Sequence, residues 1–281
     1  MTTLLIIDAQ KDFHPGGNLA IPTANQDAVR IARLIRERGE SIQRIVATLD
    51  THQKLHIAHQ WFWKERPAPF TIISAQEIAD GKYNPRASIR LSNSLLDPAV
   101  FEDSSKVLDE KDEIDARKYA LEYTRRLEER GRFQLCIWPE HCLIGSPGHG
   151  LVDVISEALH GWSEQTGRSV EWILKGQNLL TEMYSALEAD VPVSVDTSFN
   201  RDFHQTLLKS EKLIVCGQAM SHCVNYTVRD IVLHWPVDQM SKIILLTDCT
   251  SAVPGFEEAA LNFRKDMESI GVQLKMSTAE L

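Results

Sequence analysis

Short apolar runs alternate with amphipathic stretches along most of the chain. The apolar runs occupy residues 3–8, 44–50, 133–138, 170–176, 212–217 and 242–248, with a weaker run at 272–276. They lack strict alternation of apolar and polar positions, which is typical of parallel strands covered on both faces. The pattern therefore predicts a strand at each of these positions.

Amphipathic stretches with helical periodicity separate these runs. They cover residues 27–38, 115–130, 151–165, 221–234 and 257–270. In the first stretch, Ala28, Ile31, Ala32 and Ile35 recur at the spacing that puts them on one helical face. Strands and helices in alternation predict an α/β fold, namely a doubly wound, mostly parallel sheet with helices on both faces.

The connection between the second and third apolar runs is far longer than a crossover helix requires. Residues 60–114 begin with the aromatic trio WFW at 61–63, contain several prolines and end in a charged run. We therefore expect a single domain over residues 1–281 that carries an ordered insertion at about 60–114.

Composition and charge narrow the class of protein. The 281 residues are 43% apolar and 25% charged, as in ordinary globular proteins, and the net charge is −9. A negative chain without long basic blocks is not expected to bind nucleic acid, and no apolar run is long enough to predict a membrane span. Five cysteines without zinc-finger spacing, and a start without a basic segment, favour free thiols and a cytoplasmic location.

Reactive or metal-binding side chains follow the predicted strands. In open α/β sheets, ligands bind beyond the carboxyl ends of the strands. The side chains at these ends are Asp8, Asp50 with His52, Trp138 with His141, Lys175 and Cys223. A cysteine on its own is more often a small buried residue than a nucleophile. Five successive strand ends with capable side chains make a catalytic site the better interpretation.

Ordered motifs around these positions resemble a known family. The motifs are IIDAQKDF (6–13), LDTH (49–52), WPEHC (138–142), GSPG (145–148), LKG (174–176), YS (184–185) and GQAMSHCV (217–224). Together they resemble the isochorismatase-like cysteine hydrolases, and most of all the nicotinamidase branch. The match runs from Leu4 to about Thr250, and the insertion interrupts it. The resemblance implies a six-stranded sheet in the order 3-2-1-4-5-6, with residues 133–138 as the third strand.

The resemblance also implies a catalytic triad of Asp8, Lys175 and Cys223. Cys223 matches the nucleophile, and we expect it in the first turn of a helix capped by Ser221, where the helix dipole favours a thiolate. Asp8 matches the base that takes the thiol proton and returns it to the leaving ammonia. Lys175 matches the third member, which holds this pair in a charged state.

Further family positions map onto the oxyanion hole and the substrate pocket. The backbone amides of Ala219 and Cys223 match the oxyanion hole, and the family has a cis peptide where this chain has Gln218–Ala219. Phe13 and Trp138 match the aromatic pair on either side of a flat substrate ring.

A metal site is implied as well. Asp50, His52 and His141 match the ligands of one divalent ion per chain. Zinc is the preferred metal, and iron and manganese are the alternatives. His59 is the preferred candidate for an optional fourth ligand or supporting donor, and His56 is the alternative. No organic cofactor is implied.

The expected activity is hydrolysis of nicotinamide to nicotinate and ammonia through a cysteine thioester, as in the salvage of pyridine nucleotides. The alternatives are another small amide, carbamoyl or ureido substrate on the same fold, and a binding protein without turnover. The expected partners are a small-molecule amide and further copies of the chain in a homo-oligomer. We further expect Trp61, Phe62 and Trp63 to pack over the mouth of the active site; the alternative is that they form a satellite core that anchors the insertion.

Overall fold

A parallel sheet lies at the centre of the computed structural model, which describes residues 1–279. The strands of these residues are β1 (Thr2–Ile7), β2 (Arg44–Asp50), β3 (Ile72–Ile73), β4 (Leu135–Cys136), β5 (Glu171–Lys175), β6 (Lys212–Gly217), β7 (Ile243–Leu246) and β8 (Gln273–Lys275). Within residues 1–279 the main sheet has six strands in the order β5-β2-β1-β6-β7-β8, and each neighbouring pair is parallel. The predicted fold class is confirmed.

Helices cover both faces of this sheet. The α-helices of the described residues are α1 (Ala24–Arg38), α2 (Ala75–Ala79), α3 (Ala116–Arg130), α4 (Asp153–Thr166), α5 (Arg201–Leu208), α6 (Cys223–Leu233) and α7 (Glu257–Ser269). Five of them match the predicted amphipathic stretches, whereas α2 and α5 were not predicted. Among residues 1–279, no helix combines the length and the apolar character needed to cross a bilayer.

The predicted strand order holds, but each strand from the third onward was assigned to the wrong segment, because residues 133–138 were counted in the main sheet. Counting only the strands of the main sheet in chain order gives 3-2-1-4-5-6, as predicted. The third of them is β5, which pairs with β2 from Val46 to Asp50. Residues 133–138 contribute only the short strand β4, which pairs antiparallel with β3 outside the main sheet. The insertion supplies this partner strand, and the weak run at 272–276 supplies the sixth strand as β8.

Two apolar clusters lie on opposite faces of the sheet. The smaller cluster joins α1 to α4, and Trp162 of α4 packs there with Ile31 and Ile35 of α1. The larger cluster contains residues of α3, α6 and α7 together with the insertion aromatics Phe62 and Trp63, both of which are fully buried. The insertion therefore packs on the same core as the strands.

Candidate active site

The carboxyl ends of four parallel strands bring the predicted site residues together. Asp8 follows β1, Asp50 ends β2, and Lys175 ends β5. Cys223 begins α6, shortly after β6. Because β5, β2, β1 and β6 are consecutive in the sheet, these four side chains share one edge. Each of them is at most 5% exposed.

Lys175 occupies the centre of the group. Its Nζ lies 2.8 Å from Asp8 Oδ2, 3.1 Å from Asp50 Oδ1 and 3.4 Å from Cys223 Sγ. It also donates a hydrogen bond to the carbonyl of Met183 at 3.1 Å. Burial alone would lower the pKa of Lys175, but the carboxylates of Asp50 and Asp8 raise it well above its usual range. The ammonium is therefore charged and neutralises two buried acids at once.

Asp8 is held by Thr48 on the neighbouring strand. The Thr48 hydroxyl donates to Asp8 Oδ1 at 2.6 Å and accepts the Asp8 amide at 3.1 Å. Burial raises the pKa of Asp8, and the Lys175 ammonium opposes this increase. A carboxylate with a raised pKa beside a thiol is suited to accept and return a proton.

Cys223 begins α6 as expected, but the predicted cap at Ser221 was wrong. His222 precedes the helix at the cap position, and the Ser221 hydroxyl does not cap it but contacts His222 Nδ1 at 2.8 Å. Burial raises the pKa of the Cys223 thiol well above its usual range, and the Lys175 ammonium opposes this only in part. Burial of the thiol and the nearby carboxylates of Asp8 and Asp50 therefore favour the thiol over the thiolate.

The loop between β6 and α6 presents backbone amides beside Cys223. Gly217 has φ +113°, and a Cβ there would lie 2.0 Å from the carbonyl of Ile7, so only glycine fits. The Gln218–Ala219 peptide is cis, at the position that the resemblance implies. Within residues 1–279, neither the Ala219 nor the Cys223 amide donates to another backbone carbonyl outside the helices. Both remain available to an oxyanion.

Asp50, His52 and His141 converge as a candidate metal centre. Asp50 Oδ2 lies 2.9 Å from His52 Nε2 and 3.3 Å from His141 Nε2. Two ligand atoms that are each about 2.1 Å from one ion are separated by roughly 3–3.4 Å, so the spacing suits a shared cation. His141 Nδ1 contacts the Pro139 carbonyl at 2.8 Å, which leaves Nε2 free to coordinate. Burial lowers the pKa of His52 and keeps its ring neutral, as a ligand must be.

His56 and His59 differ in how their ring nitrogens are used. His56 Nε2 contacts the Thr181 carbonyl at 3.1 Å, and His56 Nδ1 accepts the Ala58 amide at 3.2 Å, so both nitrogens have backbone partners. Among the described residues, neither nitrogen of His59 makes a hydrogen bond of good geometry, although the side chain is fully buried. Burial lowers the pKa of His59 to about 2. A buried neutral imidazole without partners suits a metal ligand.

A cavity of about 370 Å³ lies against these groups. Its lining includes both predicted aromatic residues, Phe13 and Trp138, together with Cys223, Ala219 and the three candidate ligands. Trp138 is held in place by its backbone amide, which donates to the Ala58 carbonyl at 2.8 Å.

The aromatic trio of the insertion does not pack over this cavity. Among the described residues that line it, Trp61, Phe62 and Trp63 are absent. Phe62 and Trp63 lie in the apolar core, and Trp63 Nε1 donates to the Ile57 carbonyl at 2.8 Å. The prediction for the trio was therefore wrong, because the apolar rings find a partner surface in the core of their own chain.

Three polar residues of the cavity were not assigned from the sequence. The Tyr184 hydroxyl accepts a hydrogen bond from Trp138 Nε1 at 2.7 Å. Glu182 is 3% exposed, and its Oε1 lies 3.3 Å from His56 Nδ1 without hydrogen-bond geometry. The His222 ring packs against Trp138 at 5.0 Å between centroids. The position of His222 directly before Cys223 could have indicated it, whereas no pattern distinguishes Glu182 within an otherwise apolar run.

Comparison with known proteins identifies solved structures of the same fold. No protein-family model matches the sequence, and no curated protein matches it. The nicotinamidase/pyrazinamidase of Acinetobacter baumanii superposes with a TM-score of 0.61 at 19% identity, over 99% of this chain and 96% of that chain. The yeast nicotinamidase bound to the inhibitor nicotinaldehyde gives 0.63 at 19% identity, over 98% and 100%. The pyrazinamidase of Pyrococcus horikoshii in complex with zinc gives 0.55 at 20% identity, over 98% of each chain. The chain therefore has the fold that its motifs predict.

Proposed function

We propose that the protein is a metal-containing cysteine amidohydrolase that converts nicotinamide and water to nicotinate and ammonia. The observation that carries the proposal is the contact of Lys175 Nζ with Asp8, Asp50 and Cys223 at the edge of a small buried cavity. The fold likeness to nicotinamidases supports the same substrate class, and one of those structures binds nicotinaldehyde, an analogue of the amide.

In the first half of the reaction, the thiol of Cys223 attacks the carboxamide carbon. Asp8 accepts the thiol proton as the sulfur–carbon bond forms, and the amides of Ala219 and Cys223 receive the negative carbonyl oxygen. Asp8 then gives its proton to the amide nitrogen as the carbon–nitrogen bond breaks. Ammonia leaves, and the acyl group remains on sulfur as a thioester.

In the second half, water attacks the thioester carbon. Asp8 takes a proton from the water, the carbon–sulfur bond breaks, and the proton returns to sulfur to restore the thiol. Lys175 stays charged throughout and keeps Asp8 and the transient thiolate oriented. All atoms balance without an organic cofactor.

One divalent ion, preferably zinc, would be held by Asp50, His52 and His141, with His59 as a fourth ligand. The fit rests on the converging donor atoms of Asp50, His52 and His141, on a second such group of His52, His56 and His59 that shares His52, and on the buried, unpartnered nitrogens of His59. When bound, the ion supplies a Lewis acid at the cavity wall for an electron pair of the substrate. Phe13 and Trp138 would contact the ring faces.

A ureido or carbamoyl compound is the second candidate substrate. The observation in its favour is Glu182, a buried carboxyl that lines the cavity and whose Oε1 has no hydrogen-bond partner among the described residues. An additional polar substituent on the substrate could donate a hydrogen bond to this oxygen. The pyridine ring of nicotinamide carries only carbon-bound hydrogens and offers no such donor.

Ammonia release from the purified protein tests the proposal. We expect release from nicotinamide, and we expect Cys223→Ala to abolish it while Cys249→Ala, a change at another buried cysteine, retains it. Release from N-carbamoylglycine but not from nicotinamide would favour the second candidate. No release from any amide, or equal activity of both alanine variants, would contradict the cysteine mechanism.

Location and assembly extend the proposal. The described cysteines are all free and buried, which supports a reducing compartment such as the cytoplasm, where salvage of pyridine nucleotides would use this reaction. Trp172 and Leu174 are 46% and 47% exposed on the edge strand β5, and such apolar exposure on a sheet edge supports a homo-oligomer.

A further inference from the structure

Trp61 lies at the centre of a basic cluster on the surface of the insertion. Its ring is only partly buried. The guanidinium carbon of Arg66 lies 3.9 Å from the ring centroid, that of Arg86 lies at 4.8 Å, and Lys54 Nζ lies at 4.9 Å. Each contact is within the range of a cation–π interaction, so three positively charged groups contact one indole ring.

The backbone that carries this cluster is fixed by the core beneath it. Phe62 and Trp63, which follow Trp61 directly, are fully buried. The Arg86 amide donates to the Phe62 carbonyl at 3.0 Å, and the Lys64 amide donates to the Asn84 carbonyl at 2.8 Å. The two segments that supply Arg66 and Arg86 are therefore tied to each other before any ligand binds.

The arginines of the cluster are not neutralised by carboxylates. Within residues 1–279, Arg66, Arg86 and the nearby Arg90 form no salt bridge, and Lys54 has only Glu140 at 3.7 Å. The protein as a whole carries a net charge of −9, so this local concentration of positive charge is opposite in sign to the protein's net charge. Cations held this close together repel one another unless an anion lies between them.

An open groove of about 790 Å³ adjoins the cluster. Its basic lining comes from Lys54, Arg86 and Arg90, its apolar lining from Leu55, Ile89 and Trp61, and its remaining polar side chain is Ser88. The groove shares no lining residue with the catalytic cavity among the described residues.

We propose that this groove, which we call the Trp61 groove, binds the phosphate groups of a small nucleotide. Guanidinium groups pair with phosphate oxygens in bidentate geometry, and the apolar wall of Leu55 and Ile89 offers a surface for the base or sugar. A nucleic-acid polymer fits less well, because the phosphates beyond the groove would face an acidic protein surface.

Calorimetric titration of the full-length protein tests the Trp61 groove directly. The ligands are adenosine diphosphate, inorganic pyrophosphate and adenosine. We expect the diphosphate to bind best, pyrophosphate to bind more weakly, and adenosine to give no measurable heat. Affinity should fall as salt rises, since the interaction is ionic. Equal affinity for pyrophosphate and the nucleotide would overturn the assignment of a nucleotide, and absence of binding by both would overturn the site.

Charge-matched variants separate the groove from the overall charge. Arg86→Gln combined with Arg90→Gln, the two arginines that line the groove, should weaken diphosphate binding at least about tenfold. Arg33→Gln combined with Arg264→Gln removes the same charge at exposed positions elsewhere and should leave binding unchanged. Equal losses in the two double variants would overturn the proposal. Arg90→Gln alone, at an exposed position, provides the same comparison if the first double variant fails to fold.

Discussion

Lys175 neutralises two buried carboxylates, Asp8 near Cys223 and Asp50 in the candidate metal centre, so its removal should lower the stability of the protein. We expect Lys175→Met to lower the free energy of unfolding by about 3–5 kcal/mol, because Asp8 and Asp50 would stay buried without a cation. Urea unfolding measures the loss, and Lys265→Met, at an exposed lysine, is the control. A second change, Asp8→Asn, should restore part of the stability without restoring ammonia release. Equal stability of the single and double variants would contradict the shared role of Lys175.

The two uncertain histidines should separate by metal affinity. We expect His59→Gln to weaken metal binding by about 10–100-fold, because its free ring nitrogens suit coordination. His56→Gln should keep the affinity and instead lose about 1–3 kcal/mol of stability, since both of its nitrogens serve backbone groups. Competition with a zinc chelator, together with elemental analysis, measures the first effect. A stronger loss of metal in the His56 variant would reverse the assignment.

At the level of segments, we expect the insertion to contribute to stability rather than to substrate choice, because Phe62 and Trp63 are buried in the core. We expect Trp63→Ala to lower the free energy of unfolding by about 3–5 kcal/mol, because a fully buried ring and its hydrogen bond to the Ile57 carbonyl are lost. Trp61→Ala should cost much less, since that ring is partly exposed. Neither change should alter the relative kcat/KM among amides, and a changed ranking would mean that the insertion reaches the cavity after all.

Segments that follow their own apolar pattern were predictable, and segments whose structure depends on distant partners were not. The runs at 3–8, 44–50 and 212–217, which are mostly apolar, became central strands. The run at 133–138 is also mostly apolar, yet its partner is a two-residue strand inside the insertion. No local pattern distinguishes these outcomes, since composition does not encode which strand is adjacent.

The candidate site was predictable to the extent that strand ends determine it. Asp8, Asp50, Lys175 and Cys223 lie where parallel strands of the main sheet end, so their convergence follows from the topology, whereas His141 follows the short strand β4 outside that sheet. The raised pKa of Cys223 was not predictable, because it depends on burial of the thiol and on the charges of Asp8 and Asp50 beside it. Glu182 was missed for a related reason, since its position depends on a turn between Lys175 and Tyr184 without regular structure.

For the protein as a whole, buried titrating groups make the free energy of unfolding depend on pH. The buried carboxyl of Asp190 is one of these groups. Burial raises the pKa of Asp190 from 3.8 to about 7. A raised folded-state pKa contributes stability that is complete below the unfolded value and is lost as the pH rises through the folded value. The contribution of Asp190 therefore disappears between about pH 4 and pH 7.

Replacing this carboxyl should flatten that part of the profile. We expect the stability of Asp190→Asn relative to the wild type to rise between pH 5 and pH 8, because the amide does not ionise. Urea unfolding at both values measures the difference, with Asp196→Asn at an exposed aspartate as the control. A constant difference across this range would mean that Asp190 is already charged in the folded protein at pH 5.

The long excursion, by which we mean the chain between β2 and β5, begins and ends beside the candidate site, where its first and last segments lie next to each other. His59 bridges to Trp138, and His52 bridges to Leu143. The closure entropy of such a loop grows only with the logarithm of its length, so doubling the number of residues costs about 0.6 kcal/mol. The exposed turn at residues 110–113 lies within this excursion. We expect residues added at this turn to lengthen the excursion without moving His52 or His141, whereas loss of its packed elements would remove part of the core.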